Sequence, residues 1–194
     1  MKVLYLTPNF GTYSAAYYQN DLISSLQSKI EIILWGPGYK NFDNTLTLEQ
    51  TFNKFNLDSN DTVCVGHGWL SDIPQNANAK NRYSWSKDLN SDLSNDLEFC
   101  AKYNFADHIG KKVCILNKEY VSLNAKLQFI NRGKFDLAFS HYSECEEFEK
   151  TANTKFIFFP CSVNKEKFIN INNRTDLKKK YDLCFSGLLQ NPYM

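Results

Sequence analysis

The sequence predicts an α/β domain with a doubly wound, Rossmann-like parallel sheet of about six strands and helices on both faces. Short apolar runs of strand length recur along the chain, and amphipathic segments at helical spacing separate them. Apolar residues make up 43% of the 194 residues and charged residues only 22%, which is enough apolar side chain for a packed core. This alternation is typical of a parallel sheet covered on both faces.

Six runs are rich in β-branched or aromatic residues and are predicted as strands. They are residues 3–6, 30–35, 62–65, 113–116, 135–139 and 156–159. In a doubly wound sheet, ligands bind outside the carboxyl ends of the strands, where the strand order reverses. For a strand order of 3-2-1-4-5-6, the ligand crevice is expected between the loops that follow the first and fourth strands.

The helical segments between these runs carry terminal signals. Thr47 and Gln50 have capping-box spacing before the second helix, and Ser143 and Glu146 have the same spacing after the fifth strand. Gly133 suits a left-handed cap at the end of the helix that follows the fourth strand. Leu89, Leu93, Leu97 and Cys100 predict a helix after the third strand.

Composition and missing motifs exclude several classes of function. A net charge of +1 gives no support for nucleic-acid binding or for an acidic membrane surface. The apolar stretch at residues 3–6 is too short for a signal peptide, and no window reaches the length of a transmembrane segment. Six cysteines without a C-x-x-C pair indicate a reduced, cytoplasmic protein.

No cofactor and no metal are expected. The sequence has no P-loop, no dinucleotide fingerprint after the first strand and no hydrolase nucleophile elbow. Three histidines without H-E-x-x-H spacing or paired cysteines do not form a zinc motif. The absence of a D-x-D element also disfavours the metal-dependent, single-domain class of sugar transferase.

The chain is divided into an N-terminal domain (1–163), a polar linker (164–180) and a last segment (181–194). That last segment begins with an apolar run and ends soon after a glycine. It is interpreted as the start of a truncated second domain or as an extra edge strand of the same sheet.

Candidate substrate-binding residues follow the first and fourth strands. The loop after the first strand contains Asn9, Gly11 and Tyr13, and a glycine before a helix lets backbone N–H groups approach an anion or a sugar hydroxyl. A structural turn explains Gly11 equally well. After the fourth strand, Glu119 is a candidate general base or hydroxyl ligand that Lys118 would neutralise. Glu119 is also explained as an acid at a helix start.

Two histidines are candidates after the third and fifth strands. His67 is flanked by glycines and precedes Trp69, whose apolar face is of the kind on which sugars stack. His141 follows the fifth strand and is assigned to the same edge of the sheet as a substrate-binding residue. His108 precedes Gly110 in a turn and is expected to be a surface histidine.

Several segments together resemble the GT-B glycosyltransferases, particularly the CgeB-like bacterial group. They are residues 2–6 with the Gly11 loop, 113–118, 135–140, 155–164 and 181–187. The most specific is the run from KFIFFPCSVN through KF to YDLCFSG. In such enzymes, this run resembles the last strand of the N-terminal domain, the interdomain linker and the first strand of the C-terminal domain.

This resemblance implies an acceptor-side N-terminal domain of a metal-independent enzyme. A nucleotide-sugar donor is then bound by the missing C-terminal domain, and the acceptor is a sugar, a lipid-linked molecule or a protein. Gly11 matches the glycine loop that faces the donor phosphates, while His67 and Glu119 lie where catalytic residues are sought. Because the acidic motif of the C-terminal domain is absent, this chain alone is expected to hold acceptor weakly and to transfer nothing.

Two other interpretations remain open. A non-catalytic Rossmann-like binding or interaction domain, or a degenerate remnant, fits the same alternation of strands and helices. A flavodoxin-like or receiver domain fits less well, because receivers need clustered acids at the end of the first strand. This chain has Thr7, Pro8 and Asn9 there.

Overall fold

Six strands form one parallel sheet in the computed structural model, which describes residues 1–7, 9, 17–36, 38–43, 45–66, 103, 105–116, 119 and 123–160. All five neighbouring pairs run parallel. The predicted α/β fold class is therefore confirmed. The strands are β1 (Lys2–Leu6), β2 (Glu31–Trp35), β3 (Thr62–Val65), β4 (Lys111–Ile115), β5 (Leu137–Ser140) and β6 (Lys155–Phe158).

The strand order is β2-β1-β3-β4-β5-β6, which differs from the order considered from the sequence. The chain passes from β2 over β1 to reach β3, so the reversal lies between β1 and β3. By the rule for doubly wound sheets, the ligand crevice then lies between the loops after β1 and β3. This order is the flavodoxin-like variant of the doubly wound fold.

The described helices are α1 (Tyr17–Gln27), α2 (Leu48–Lys54), α3 (Leu123–Gly133), a 3₁₀ helix (Cys145–Phe148) and α4 (Glu149–Ala152). The predicted capping box of α2 is confirmed. The Thr47 side chain accepts a hydrogen bond from the Gln50 amide at 3.2 Å, and the Gln50 side chain accepts one from the Thr47 amide at 2.8 Å. The helix predicted at residues 89–100 lies outside the described residues.

Two predicted helix signals are wrong. No side-chain cap forms from Ser143, because the segment folds as a 3₁₀ helix preceded by Glu144 rather than as an α-helix. The left-handed residue after α3 is Lys134, with φ 52°, and not Gly133. Gly133 is instead needed for packing, since a Cβ there would lie 2.5 Å from the Phe135 ring.

Two apolar clusters cover the two faces of the sheet. Alternate residues of a strand point to opposite faces, so Leu4 and Leu6 belong to one cluster, and Val3 and Tyr5 to the other. The larger cluster packs against α2, α3, the 3₁₀ helix and α4, with contributions from Leu48, Phe52, Leu127, Ile130, Phe148 and Ala152. The smaller cluster packs against α1 through Ile23.

Aspartates fasten the amino-terminal edge of the sheet. Asp61, just before β3, accepts a hydrogen bond from the Lys2 amide at 2.6 Å and one from the Asp58 amide at 3.1 Å. The Lys2 hydrogen bond in particular lowers the pKa of Asp61. Asp136, just before β5, accepts from the Lys112 amide at 2.8 Å. Each carboxylate satisfies a backbone N–H at the start of a neighbouring strand.

Three cysteines in the described part of the chain are free thiols buried in the fold, namely Cys64, Cys114 and Cys145. Burial raises the pKa of Cys64 to about 12, so this thiol behaves as a small apolar side chain. No helix in the described ranges has the length and apolarity needed to cross a bilayer. The predicted linker (164–180) and last segment (181–194) lie outside those ranges, and their assignment stays a prediction.

Candidate functional site

The carboxyl ends of the strands form one edge of the sheet. Leu6 of β1 pairs with Val65 of β3, and Val65 pairs with Cys114 of β4, so these three neighbouring strands end within one residue of each other. Asn9 follows β1, Gly66 follows β3 and Glu119 follows β4, so these three residues come after neighbouring strands.

The switch point between β1 and β3 is closely packed. The Gly66 amide donates to the Leu6 carbonyl at 2.9 Å, which continues the β1–β3 ladder past the end of β3. A Cβ on Gly66 would lie 2.5 Å from Cε1 and 2.9 Å from the hydroxyl oxygen of Tyr5. The Tyr5 ring therefore fills the space above Gly66, and only glycine fits there without a shift of that ring.

Asn9 contacts the loop that follows β2. Its side-chain amide donates to the Gly38 carbonyl at 3.2 Å, and Gly38 has φ +87°. A Cβ on Gly38 would lie 3.0 Å from the Asn9 Cβ, so the two loops touch. Asn9 thus helps to hold the loops beside the switch point together.

A second polar cluster lies at the ends of β4 and β5. Glu119 follows β4, and its Oε1 accepts a hydrogen bond from the Ser140 hydroxyl at 2.6 Å and another from the His141 amide at 2.8 Å. The Ser140 hydroxyl oxygen in turn accepts from the Tyr142 amide at 3.1 Å. Ser140 is buried and Glu119 is half-buried, so these bonds are partly shielded from water. The Glu119 carboxylate therefore fixes the backbone that leaves β5.

The His141 ring is held by the end of β6. Its Nδ1 lies 2.6 Å from the Phe159 carbonyl oxygen, and the Phe159 amide donates to the Ser140 carbonyl at 2.7 Å. A carbonyl oxygen can only accept, so Nδ1 carries the proton in this hydrogen bond. In the neutral ring, the lone pair that can accept a proton is then on Nε2.

A pocket of about 450 Å³ opens beside this cluster. The Tyr142 and Phe148 rings stack in its wall, with centroids 5.6 Å apart and an angle of 18° between their planes. Tyr142 donates from its hydroxyl to Glu144 at 2.6 Å, and this hydrogen bond raises the pKa of Tyr142. The described lining residues are Glu119, Leu123, His141, Tyr142, Glu147 and Phe148.

Comparison of the chain with protein-family models, with curated proteins and with solved structures found no match. A functional assignment therefore depends on the chemistry of this edge of the sheet. Within the described ranges, no group of three or more His, Cys, Asp or Glu side chains is arranged to hold a metal ion. In that part of the chain, the polar groups at the carboxyl edge are hydrogen-bond donors and acceptors together with the His141 imidazole.

Among the predicted site residues, the structure brings Glu119 and His141 together. Asn9 lies apart from them, because β3 and β4 separate β1 from β5, a width of roughly 14 Å at the usual strand spacing. The other predicted residues are outside the described part of the chain, and their assignments stay predictions. They are Gly11, Tyr13, His67, Trp69 and Lys118.

Sequence reasoning missed several partners in this cluster. Ser140 and Tyr142 flank His141. This run of three residues with hydroxyl or imidazole groups at a strand end could have indicated the polar cluster from the sequence. Glu147 and Phe148 carry no such signal, since they belong to an ordinary amphipathic segment. The Phe159 carbonyl is a backbone group and cannot be recognised from residue type.

A second pocket, of about 540 Å³, lies at the opposite edge, where the chain enters β3 and β4. His108 lines this pocket. It is half-buried, whereas the sequence predicted a surface histidine. Its ring packs edge-on against Phe52 with centroids 4.3 Å apart, and its Nε2 is buried. Burial is the main cause that lowers the pKa of His108.

Proposed function

We propose that this chain is the acceptor-side, N-terminal part of a glycosyltransferase and that it holds a sugar acceptor in the pocket beside Glu119 and His141. The observation that carries the proposal is the juxtaposition of a carboxylate, an oriented imidazole and an aromatic pair in one pocket at the carboxyl edge. Ligands of doubly wound folds bind at the carboxyl edge, and this pocket lies at that edge beside β4 and β5, apart from the switch point between β1 and β3.

The lining suits a hydroxylated ring. Sugar hydroxyls donate and accept hydrogen bonds, and the carboxylates of Glu119 and Glu147 accept them. The faces of a sugar ring carry C–H groups that pack on aromatic side chains such as Tyr142, which is 42% exposed. A purely apolar ligand would leave the carboxylates desolvated without partners, which disfavours it.

His141 and Glu119 take different tasks in this proposal. His141 accepts the proton of the acceptor hydroxyl on Nε2, because its Nδ1 proton is held by the Phe159 carbonyl. Glu119 is a positioning residue, since its Oε1 is already engaged with Ser140 and the His141 amide. The general-base role predicted for Glu119 from the sequence therefore passes to His141.

The nucleotide-sugar donor is assigned to a second domain of the full enzyme. Positive groups and a helix N-terminus there would stabilise the departing diphosphate without a metal ion. In this proposal, the described part of the present chain binds the acceptor, orients the acceptor's hydroxyl and takes up the proton of that hydroxyl.

The test is a titration of the 194-residue chain with methyl glycosides of common hexoses, followed by nuclear magnetic resonance. We expect the His141 imidazole signals and the backbone amides of Ser140 and Tyr142 to shift with a saturable dependence on glycoside concentration. Assignment of the imidazole signals is secured with the His141→Gln variant.

His108 provides the internal control, because it lies at the opposite edge of the sheet. Its signals should stay unchanged while those of His141 move. Equal movement of both histidines, or no glycoside-dependent change at residues 119 and 140–142, would overturn the proposal. The chain would then be better described as a non-catalytic Rossmann-like interaction domain.

A further inference from the structure

The pocket beside Glu119 has an uneven distribution of charge. Two of its six described lining residues are carboxylates, Glu119 and Glu147, and none is a lysine or arginine. Just outside the pocket, Glu144 accepts a hydrogen bond from the Tyr142 hydroxyl, and Glu146 is an exposed residue of the 3₁₀ helix. The described residues therefore place net negative charge around a ligand in this pocket.

This negative charge discriminates between classes of acceptor. A phosphate or carboxylate group would be placed among like charges, which disfavours the charged form and the ligand that carries it. An ammonium group would gain a counter-ion, because Glu147 is exposed and no hydrogen bond from a described residue engages its carboxylate. The aromatic wall at Tyr142 packs on any sugar ring, and the face of an aromatic ring attracts an ammonium group rather than an anion.

We propose that the pocket binds an amine-bearing sugar ring, with Glu147 as the counter-ion of the amine and the Tyr142–Phe148 pair as the apolar wall. The inference rests on the proposed function, because it names the acceptor that this function requires. It also distinguishes among the acceptors that the sequence left open, since a lipid diphosphate brings negative charge towards Glu119 and Glu147.

The size of the effect follows from Coulomb's law. Two carboxylates at roughly 6 Å from an ammonium group, in a water-like dielectric, correspond to about a tenfold gain in affinity over a neutral ligand. Each carboxylate alone corresponds to a gain in affinity of about threefold, and the two gains multiply. The gain should shrink as ionic strength rises, because exposed charges are screened over about 8–10 Å.

The experiment compares the affinities of methyl glucosaminide, methyl glucoside and glucose 6-phosphate for the chain by calorimetry and chemical-shift mapping. We expect affinity to fall in that order, with about a tenfold step from the amine to the neutral sugar at low salt. The Glu147→Gln variant should reduce this step to about threefold. Glu146→Gln is the matched control, because it removes the same charge one residue away, from a side chain outside the pocket lining. In this variant, the affinity step from the amine to the neutral sugar should stay larger than in Glu147→Gln.

The outcomes separate this inference from the proposed function. If glucose 6-phosphate binds as well as the glucosaminide, or if Glu147→Gln and Glu146→Gln act equally, the charge selection is wrong while sugar binding stands. If a simple alkylammonium ion binds as tightly as the amino sugar and the neutral sugar does not bind, the counter-ion role of Glu147 stands and the glycosyltransferase proposal fails. If none of the probes shifts residues 119, 141, 142 and 147, the inference is overturned.

Discussion

Replacing Glu119 by alanine is expected to destabilise the domain by about 3 kcal/mol. The carboxylate accepts two hydrogen bonds, from the Ser140 hydroxyl at 2.6 Å and from the His141 amide at 2.8 Å. A hydrogen bond to a charged group contributes about 1.5–3 kcal/mol, and the lower end applies because Glu119 is only half-buried. Glutamine keeps one carbonyl acceptor, so Glu119→Gln should cost only about 1 kcal/mol.

Urea unfolding measures this prediction, with the slope m expected to stay constant so that the midpoint reports stability. Glu146→Ala is the control, because Glu146 is an exposed acid and its loss should change stability by no more than about 0.5 kcal/mol. A double-mutant cycle with Ser140→Ala isolates the Glu119–Ser140 hydrogen bond. A Glu119→Ala variant that unfolds at the same urea concentration as Glu146→Ala would refute the positioning role.

Three further predictions concern the framework of the fold. Gly66→Ala should cost about 1–3 kcal/mol through its clash with Tyr5, and the cost should fall in a Tyr5→Leu background, both measured by urea unfolding. Thr47→Ala should cost about 1 kcal/mol by removing the cap of α2, whereas Thr47→Ser should be nearly neutral in the same assay. The pKa of Asp61 is lowered in the fold, so its stabilising effect is present above its unfolded pKa of about 3.9 and is lost as the pH falls through the folded pKa. Asp61→Asn should therefore flatten the acid side of a stability–pH profile, and an unchanged acid slope would contradict the Lys2 contact.

The positions of β1, β3 and β4 follow from the sequence because these strands are buried on both faces. β3 reads Thr-Val-Cys-Val with its last three residues buried, so it appears as a continuous apolar run. The start of β5 was misplaced for a physical reason. Phe135 packs against the Phe105 and Phe129 rings, and Asp136 caps the Lys112 amide, so both residues serve the turn before the strand.

Strand order could not be obtained in the same way. β1 is buried on both faces whether its second neighbour is β3 or β4, so its composition is the same in either topology. The strand order depends on the position in the sheet at which β3 is added after α2. That position depends on the packing of Leu48 and Phe52 of α2 in the larger apolar cluster. Periodicity predicts that α2 has an apolar face but does not specify the strands on which it packs.

The sequence predicted the edge of the sheet at which the candidate site lies, but not the contact between its side chains. Glu119 and His141 were singled out because each follows a strand, and parallel strands bring such residues to one edge. Their contact also requires β4 and β5 to be neighbours and the backbone after β5 to turn towards Glu119. Those conditions depend on the Ser140 and Phe159 hydrogen bonds, which have no pattern in the sequence.

Carboxylates at strand ends have the same local task at both edges of this sheet. Asp61 and Asp136 accept backbone N–H groups at the starts of β1 and β4, and Glu119 accepts the N–H group that follows β5. Each satisfies a donor for which the strand ladder has no partner. Hydrogen bonding alone therefore does not separate a structural acid from a functional one. The surroundings of Glu119 make the difference, because it shares a pocket with an imidazole oriented through Nδ1 and with an aromatic wall, whereas Asp61 and Asp136 are bound to strand starts.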